Sequence, residues 1–336
     1  MKREEVRKTF NDLMLGDYDF DEIYKFAKQL MDNGPTTEEV KGFIDSTADR
    51  AVELNPKLPK DKKIIDISSS GGDDIKTINV GSIVSLVLAA GGIVVGKNAA
   101  RAVTGYSGSS DVFDRIGIPV NYADENVEKT ERLLEKTGFA SYYYPTFDLE
   151  KYGANSGRFL RELRDKGMSF VTPWHVAAWL YNPLKLNYRI YGMFTDKYFE
   201  TAAEVLKDQG VERGWIIYGV NGLDEVSNVG GTKVLEFTKS GNKALILYPE
   251  DFGVRRAAVD EIKVSSAEES FKIADNIING KEDSAYSDLI LINSSAGLYL
   301  TGLTNNLKDG VRIADELLKS GKVKAKVEEI KSEIRR

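Results

Sequence analysis

The sequence predicts an α/β protein: a small all-helical domain followed by a larger α/β domain with a mainly parallel central sheet flanked by helices. Three observations predict this. Residues 1–60 carry apolar side chains at helical spacing with no strand pattern. From residue 61 onward, short apolar runs alternate with helical stretches, the signature of strands joined by covering helices. At 336 residues, the chain also exceeds the ~100–200 residues usual for one domain. The expected division is 1–60, joined by part of 150–182, and 61–336.

In the first part, Ile23, Phe26, Ala27, Leu30 and Met31 share one helical face, and Gly34-Pro35 breaks the chain after them. Thr36 and Glu39 then have capping-box spacing, opening a helix with the stripe Val40, Phe43, Ile44, Ala48 and Ala51. Asn55-Pro56 through Pro59-Lys60 reads as the linker. Strands are expected at Ile64–Ile67, Ile93–Val95, Phe139–Tyr143, Arg189–Phe194, Trp215–Tyr218 and Ala244–Tyr248. Helices fall at Gly81–Ala90, at Val127–Lys136 with Gly138 closing it, and after Ser266, whose spacing to Glu269 repeats the capping signal. Leu149–Asn182 reads as helical and returns toward the first domain.

Composition narrows the function classes. Apolar residues make up 42% and charged residues 29%, with net charge −6, an ordinary globular balance that does not favour nucleic acid as partner. Cysteine is absent, which excludes disulfides, thiolate metal sites and thiol nucleophiles and points to a cytoplasmic setting. The start Met1-Lys2-Arg3-Glu4-Glu5 lacks the apolar core of a signal peptide. Val80–Gly96 is uncharged but short of the ~20 residues of a spanning helix, and Gly91-Gly92 interrupts it. No membrane association is expected.

Three loops carry candidate chemistry. Ser68-Ser69-Ser70-Gly71-Gly72-Asp73 sits between a strand and a helix N-terminus, where backbone N–H groups and the helix dipole hold phosphate; a plain serine–glycine turn has the same composition. Lys97 and Arg101, followed by Gly105-Tyr106-Ser107-Gly108-Ser109-Ser110-Asp111, make either a second anion cradle or a solvated charge pair before a helix cap. Asn221-Gly222-Leu223-Asp224-Glu225 follows another strand, and its adjacent carboxylates suit Mg²⁺ or simply face water. The single histidine, His175, stands between aromatic and apolar residues and is either an acid–base group or a structural one. Tyr142-Tyr143-Tyr144, Trp174 and Trp179 fit a stacking surface as well as ordinary strand burial.

Taken together and in this order, the loops resemble the anthranilate phosphoribosyltransferase family. The family's Gly-Thr-Gly-Gly-Asp loop is similar to Ser69-Ser70-Gly71-Gly72-Asp73, and its Asn-x-Ser-Thr to Asn79-Val80-Gly81-Ser82. Its Lys-His-Gly-Asn-Arg motif resembles Lys97-Asn98-Ala99-Ala100-Arg101, continuing to Gly108-Ser109-Ser110-Asp111, and its Gly-x-Asp-Glu resembles Gly222-Leu223-Asp224-Glu225. Asn182-Pro183 and the tail Leu291–Leu300 with Leu307-Lys308-Asp309-Gly310 extend the likeness over nearly the whole chain.

The resemblance implies a helical plus α/β architecture shared with pyrimidine nucleoside phosphorylases, a homodimer, Mg²⁺ as cofactor and phosphoribosyl diphosphate as substrate. It implies a donor site at Ser69, Ser70, Gly71, Gly72, Asp73, Thr77, Asn79, Ser82, Lys97, Arg101, Ser109 and Ser110, with metal on Asp224 and Glu225. Asn98, Arg164 and His175 fall on the acceptor side. The chain departs from the pattern at Asn98 and Ala100, where the family has His and Asn, and at Ala178-Trp179-Leu180, where it has Gly-Pro-Leu. Gly81 replaces a metal-supporting Ser, and Asp74 replaces a Gly. The expectation is a phosphoribosyltransferase of the tryptophan-biosynthetic type with an altered acceptor site. Its competitors are a nucleoside phosphorylase of the same fold and a non-catalytic ligand- or nucleic-acid-binding homologue.

Overall fold

The computed structural model describes residues 1–16, 19–71, 75–99, 106–120, 127–142, 162, 165, 176–177, 179–220 and 222–336. Three helices come first: α1 (Arg3–Leu15), α2 (Phe20–Asn33) and α3 (Thr37–Ala48). The capping box at α3 forms, with Thr36 Oγ1 accepting the Glu39 N–H at 3.3 Å and Glu39 Oε2 accepting the Thr36 N–H at 2.8 Å. Phe10 of α1 sits edge-on to Phe43 of α3 and Phe26 of α2, at 4.7 and 5.6 Å between ring centres. Ala48 departs from the expected stripe: α3 ends there and leaves it exposed, while Ser46 and Thr47 are buried.

The α/β part runs β1 (Ile64–Ser69), α4 (Val80–Ala90), β2 (Val94–Asn98), α5 (Ser109–Arg115), α6 (Val127–Thr137), β3 (Phe139–Tyr142) and β4 (Tyr188–Gly192). It continues through α7 (Phe199–Asp208), β5 (Arg213–Gly219), β6 (Thr232–Thr238), β7 (Gly241–Leu247), α8 (Ala267–Ile278), α9 (Ala285–Leu300), α10 (Leu307–Lys319) and α11 (Lys322–Ile334). The seven strands lie in the order β3-β2-β1-β4-β5-β6-β7. They are parallel from β3 through β5 and antiparallel at β5–β6 and β6–β7.

β6 was not expected from sequence. Its Lys233 and Glu236 interrupt the apolar pattern, yet each has a partner on a neighbouring element, Asp196 at 2.5 Å and Arg213 at 2.6 Å. β2 also runs past its expected end, taking Lys97 and Asn98 into the strand with both side chains buried. At α8, Ser266 caps the helix as expected, but Glu269 turns to the Ser265 N–H and hydroxyl instead of closing the box. The predicted Leu149–Asn182 helix falls mostly outside the described residues.

Almost fully apolar α4 is sandwiched between the sheet and α9, α10 and α11. The α3 helix rests on α7, with Lys41 and Arg3 reaching Asp208 at 3.5 and 3.1 Å. The sequential connections run one way from β1 to β3 and the other way from β4 to β7. Such a reversal leaves a crevice beyond the strand C-termini between β1 and β4. Among the described residues, no helix is long and apolar enough to cross a membrane.

Candidate active site at the C-terminal edge of the sheet

The strand ends at this crevice bring together three of the sequence-predicted loops. After β1, Ser70 donates its N–H to the Gly192 carbonyl at 2.8 Å, and its Oγ accepts the Phe194 N–H at 3.0 Å, tying the loop to the end of β4. Gly71 adopts φ +69°, a backbone region that other residues enter only under strain. Its N–H then donates to Asp224 Oδ2 at 3.0 Å, so the glycine loop meets the carboxylate loop directly. That approach depends on Gly192: a Cβ there would lie 1.6 Å from the Asp224 carbonyl oxygen. Gly222, at φ +83°, turns the carboxylate loop back toward the sheet.

Asn79 caps α4, its Oδ1 accepting the Ser82 N–H at 3.1 Å, and Ser109 Oγ reaches the same oxygen at 3.5 Å. The second loop is thereby brought to the N-terminus of α4. Gly81 leaves a space there whose nearest neighbours to a Cβ are the Ile67 carbonyl at 3.6 Å and Lys97 Cε and Nζ at 3.8 Å. Lys97 is buried, and its ammonium donates to its neighbour's carbonyl, Asn98 O, at 2.9 Å. Burial pushes Lys97 below the ordinary lysine range; Asp66 opposes the shift, Arg189 adds to it, and Asp224 and Glu225 oppose it. The hydroxyls of Thr77 and Ser82 and the Asn98 carbonyl oxygen Oδ1 are buried without a hydrogen-bond partner among the described residues. These are groups of the kind a polar ligand satisfies.

The described residues therefore assemble Ser69, Ser70, Gly71, Asn79, Ser82, Lys97, Asn98, Ser109, Asp224 and Glu225 around the strand ends, with Thr77 in the approach to α4 and Ser110 buried in the first turn of α5. Gly72, Asp73, Asp74, Ala100, Arg101, Arg164, His175 and Ala178 lie outside the described residues, as do Tyr143, Tyr144, Trp174 and Asn221. Tyr142 is a buried strand residue with its hydroxyl on Asn182 Oδ1 at 2.7 Å, and burial raises its pKa well above the usual tyrosine value. An open groove lined by Lys63, Tyr188, Arg213 and Lys239 lies at the opposite edge, where the strands begin, away from this chemistry.

One feature of the interior gave little warning in sequence. Asp66 and Arg189 pair at 3.2 Å with both side chains fully buried, and Asn182 donates to Asp66 Oδ2 at 3.1 Å. The available signal was a lone charge inside each of two apolar strands, Ile64-Ile65-Asp66-Ile67 and Tyr188-Arg189-Ile190-Tyr191.

Residues 61–324 match the family model described as "Glycosyl transferase family, a/b domain". The anthranilate phosphoribosyltransferase of Aquifex aeolicus is 31% identical over 289 residues, covering 86% of this chain and 81% of that one. That of Clostridium beijerinckii is 30% identical over 332 residues, covering 99% and 94%. The chain belongs to the anthranilate phosphoribosyltransferase family. The crystal structure of the family member from Thermus thermophilus superposes with a TM-score of 0.86 at 26% identity, covering 100% of this chain and 96% of that one. The Saccharomyces cerevisiae enzyme, solved in complex with PRPP and Mg, shares the fold at a TM-score of 0.84 and 21% identity, covering 99% and 93%. The earlier expectations of an α/β architecture and of a phosphoribosyltransferase (pentosyltransferase) of the anthranilate type hold.

Proposed function

We propose that this phosphoribosyltransferase moves the phosphoribosyl group from phosphoribosyl diphosphate to an aromatic or nitrogenous acceptor, with Mg²⁺ and with an acceptor side that departs from the family pattern. The observation that carries the reading is the Gly71 N–H to Asp224 Oδ2 bond, which joins a glycine loop to a carboxylate loop beside a buried lysine.

The donor set fits a hard divalent cation. Asp224 is buried with one oxygen on Gly71, Glu225 is half-buried beside it, and no group of three acidic or histidine ligands forms among the described residues. Mg²⁺ suits such a pair because it takes its remaining ligands from water and substrate phosphates. When bound there, it would neutralise charge on the departing diphosphate. Lys97, the free hydroxyls of Thr77 and Ser82, and the N-terminus of α4 would hold the anionic oxygens. The C1–O bond to diphosphate breaks, and the acceptor nitrogen forms the new bond to C1 and then loses its proton. Such a transfer depends on positioning and charge stabilisation more than on a strong base.

On the acceptor side, Asn98 presents an unsatisfied oxygen, Ala100 removes an amide and Trp179 adds an indole relative to the family pattern. These support a changed acceptor preference. The reading also carries a homodimer, tested by light scattering against the 37.3 kDa of one chain.

The deciding experiment is calorimetric titration with phosphoribosyl diphosphate, with and without Mg²⁺, on the wild type and Asp224→Ala. Metal-dependent binding lost in the variant supports the reading, and anthranilate is then the first acceptor to assay. No binding under either condition would sink it.

A further inference from the structure

A parallel sheet covered on both faces normally buries apolar side chains, and a buried ion pair costs desolvation that its own attraction rarely returns. Asp66 and Arg189 are cross-strand partners on β1 and β4, directly beneath the crevice. Their bonds lead to one place. Arg189 Nη2 donates to Ser68 Oγ at 2.6 Å and also to the Trp179 carbonyl, while Nη1 faces Asp66. Asp66 Oδ2 accepts from Asn182 Nδ2, which also donates to the Gly96 carbonyl at 3.2 Å, and Asn182 Oδ1 accepts from Tyr142 and from the Leu184 N–H.

The segment 179–183 is thus gripped at alternate carbonyls. Arg189 holds that of Trp179, Asn98 Nδ2 approaches that of Tyr181 at 3.4 Å, and the Leu54 N–H holds that of Pro183 at 2.9 Å. Gly96 makes room for the arrangement, since a Cβ there would meet Tyr142 Oη and Leu184 Cδ2 at 2.5 Å. Arg189 spans these groups with its two terminal nitrogens, Nη2 hydrogen-bonding Ser68 and Trp179 and Nη1 lying in ion-pair range of Asp66 without a hydrogen bond to it, a spread that a single ammonium lacks.

We propose that Arg189 and Asp66 are positioning residues: a buried charged bracket that locks segment 179–183 over the sheet and so presets the acceptor side of the site, leaving the diphosphate cradle to Gly71, Lys97 and α4. This rests on the reading above for the identity of the two sides.

Two variants test it. Asp66→Asn/Arg189→Gln removes both charges but keeps hydrogen-bonding groups, and Arg189→Lys keeps the charge but has no fork. Hydrogen exchange, melting temperature and phosphoribosyl diphosphate affinity with Mg²⁺ are compared with the wild type. Both variants are expected to exchange the amides of residues 179–182 and 184 roughly tenfold faster, the ~1.4 kcal/mol of a lost local restraint. Exchange in α4 and β5 should not change, and because the opposite pulls of Asp66 and Arg189 on Lys97 are removed together in the double variant and both kept in Arg189→Lys, phosphoribosyl diphosphate affinity should stay within about twofold of wild type. With anthranilate as probe, its KM rises several-fold while that of phosphoribosyl diphosphate does not. Unchanged exchange at these amides, or a rise spread over the whole molecule, overturns the positioning role; should the double variant not fold, Arg189→Lys decides alone. A wild type that binds phosphoribosyl diphosphate but turns over no anthranilate refutes anthranilate as acceptor, while the exchange comparison still decides the bracket.

Discussion

Replacing Lys97 by Met should move stability and ligand affinity in opposite directions. The side chain is buried, and its ammonium has one backbone carbonyl, Asn98 O at 2.9 Å, as its hydrogen-bond acceptor among the described residues. Met keeps the volume and removes a charge that burial already disfavours. Relief of an under-solvated charge is worth about 1–3 kcal/mol. At ~2.1 cal/mol/K per residue, the unfolding entropy of 336 residues is about 0.7 kcal/mol/K, so melting rises by roughly 1–4 °C. Loss of a charge-assisted contact to a phosphate oxygen costs about 1.5–3 kcal/mol, a roughly 10- to 150-fold weaker Kd for phosphoribosyl diphosphate.

The pH dependence follows from the lowered pKa. Between the depressed folded value and the ordinary lysine value of the unfolded chain, the unfolded state holds the extra proton, so stability rises with pH across that window. An anion favours the ammonium, so binding there takes up a proton and weakens as pH rises; the Met variant shows neither effect. Calorimetry in buffers of different ionisation enthalpy, with thermal melts alongside, measures both. A Met variant that binds phosphoribosyl diphosphate as tightly as wild type, or that melts several degrees lower, would refute the reasoning.

Other substitutions test the same edge. Gly192→Ala places a methyl 1.6 Å from the Asp224 carbonyl and should displace the carboxylate loop, removing Mg²⁺-dependent binding and costing upwards of ~2 kcal/mol of stability, read by calorimetry and denaturant melts. Gly81→Ser meets nothing closer than 3.6 Å at its Cβ, so it should leave the melting temperature within about 2 °C and strengthen Mg²⁺-dependent binding of phosphoribosyl diphosphate. Thr36→Ala removes the hydroxyl half of the α3 capping box, leaving the Thr36 backbone N–H on Glu39, and should cost ~1 kcal/mol in urea melts without touching ligand affinity.

Much of the architecture was legible because local patterns and tertiary demands agree. The capping box at Thr36 and the apolar run of α4 broken at Gly91-Gly92 read correctly, since each is specified within a few residues, whereas β1 runs on through Ser68 and Ser69, which the sequence had placed in the loop. The order of the phosphate, lysine and carboxylate loops likewise pointed to the family before any contact was known. What sequence could not supply lies in pairings across long separations. β6 carries charges that look wrong for a strand until Asp196 and Arg213 answer them from elsewhere in the chain. Lys97 and Asn98 belong to a buried strand because β1, β3 and α4 enclose them. The distance from Gly71 to Asp224, 153 residues apart in sequence and 3.0 Å apart in space, exists only once β1, β4 and β5 lie side by side. Residue types and their order determined which groups were available; the sheet's register determined which of them met, because a hydrogen bond or an ion pair acts over a few ångströms whatever the length of chain between its ends.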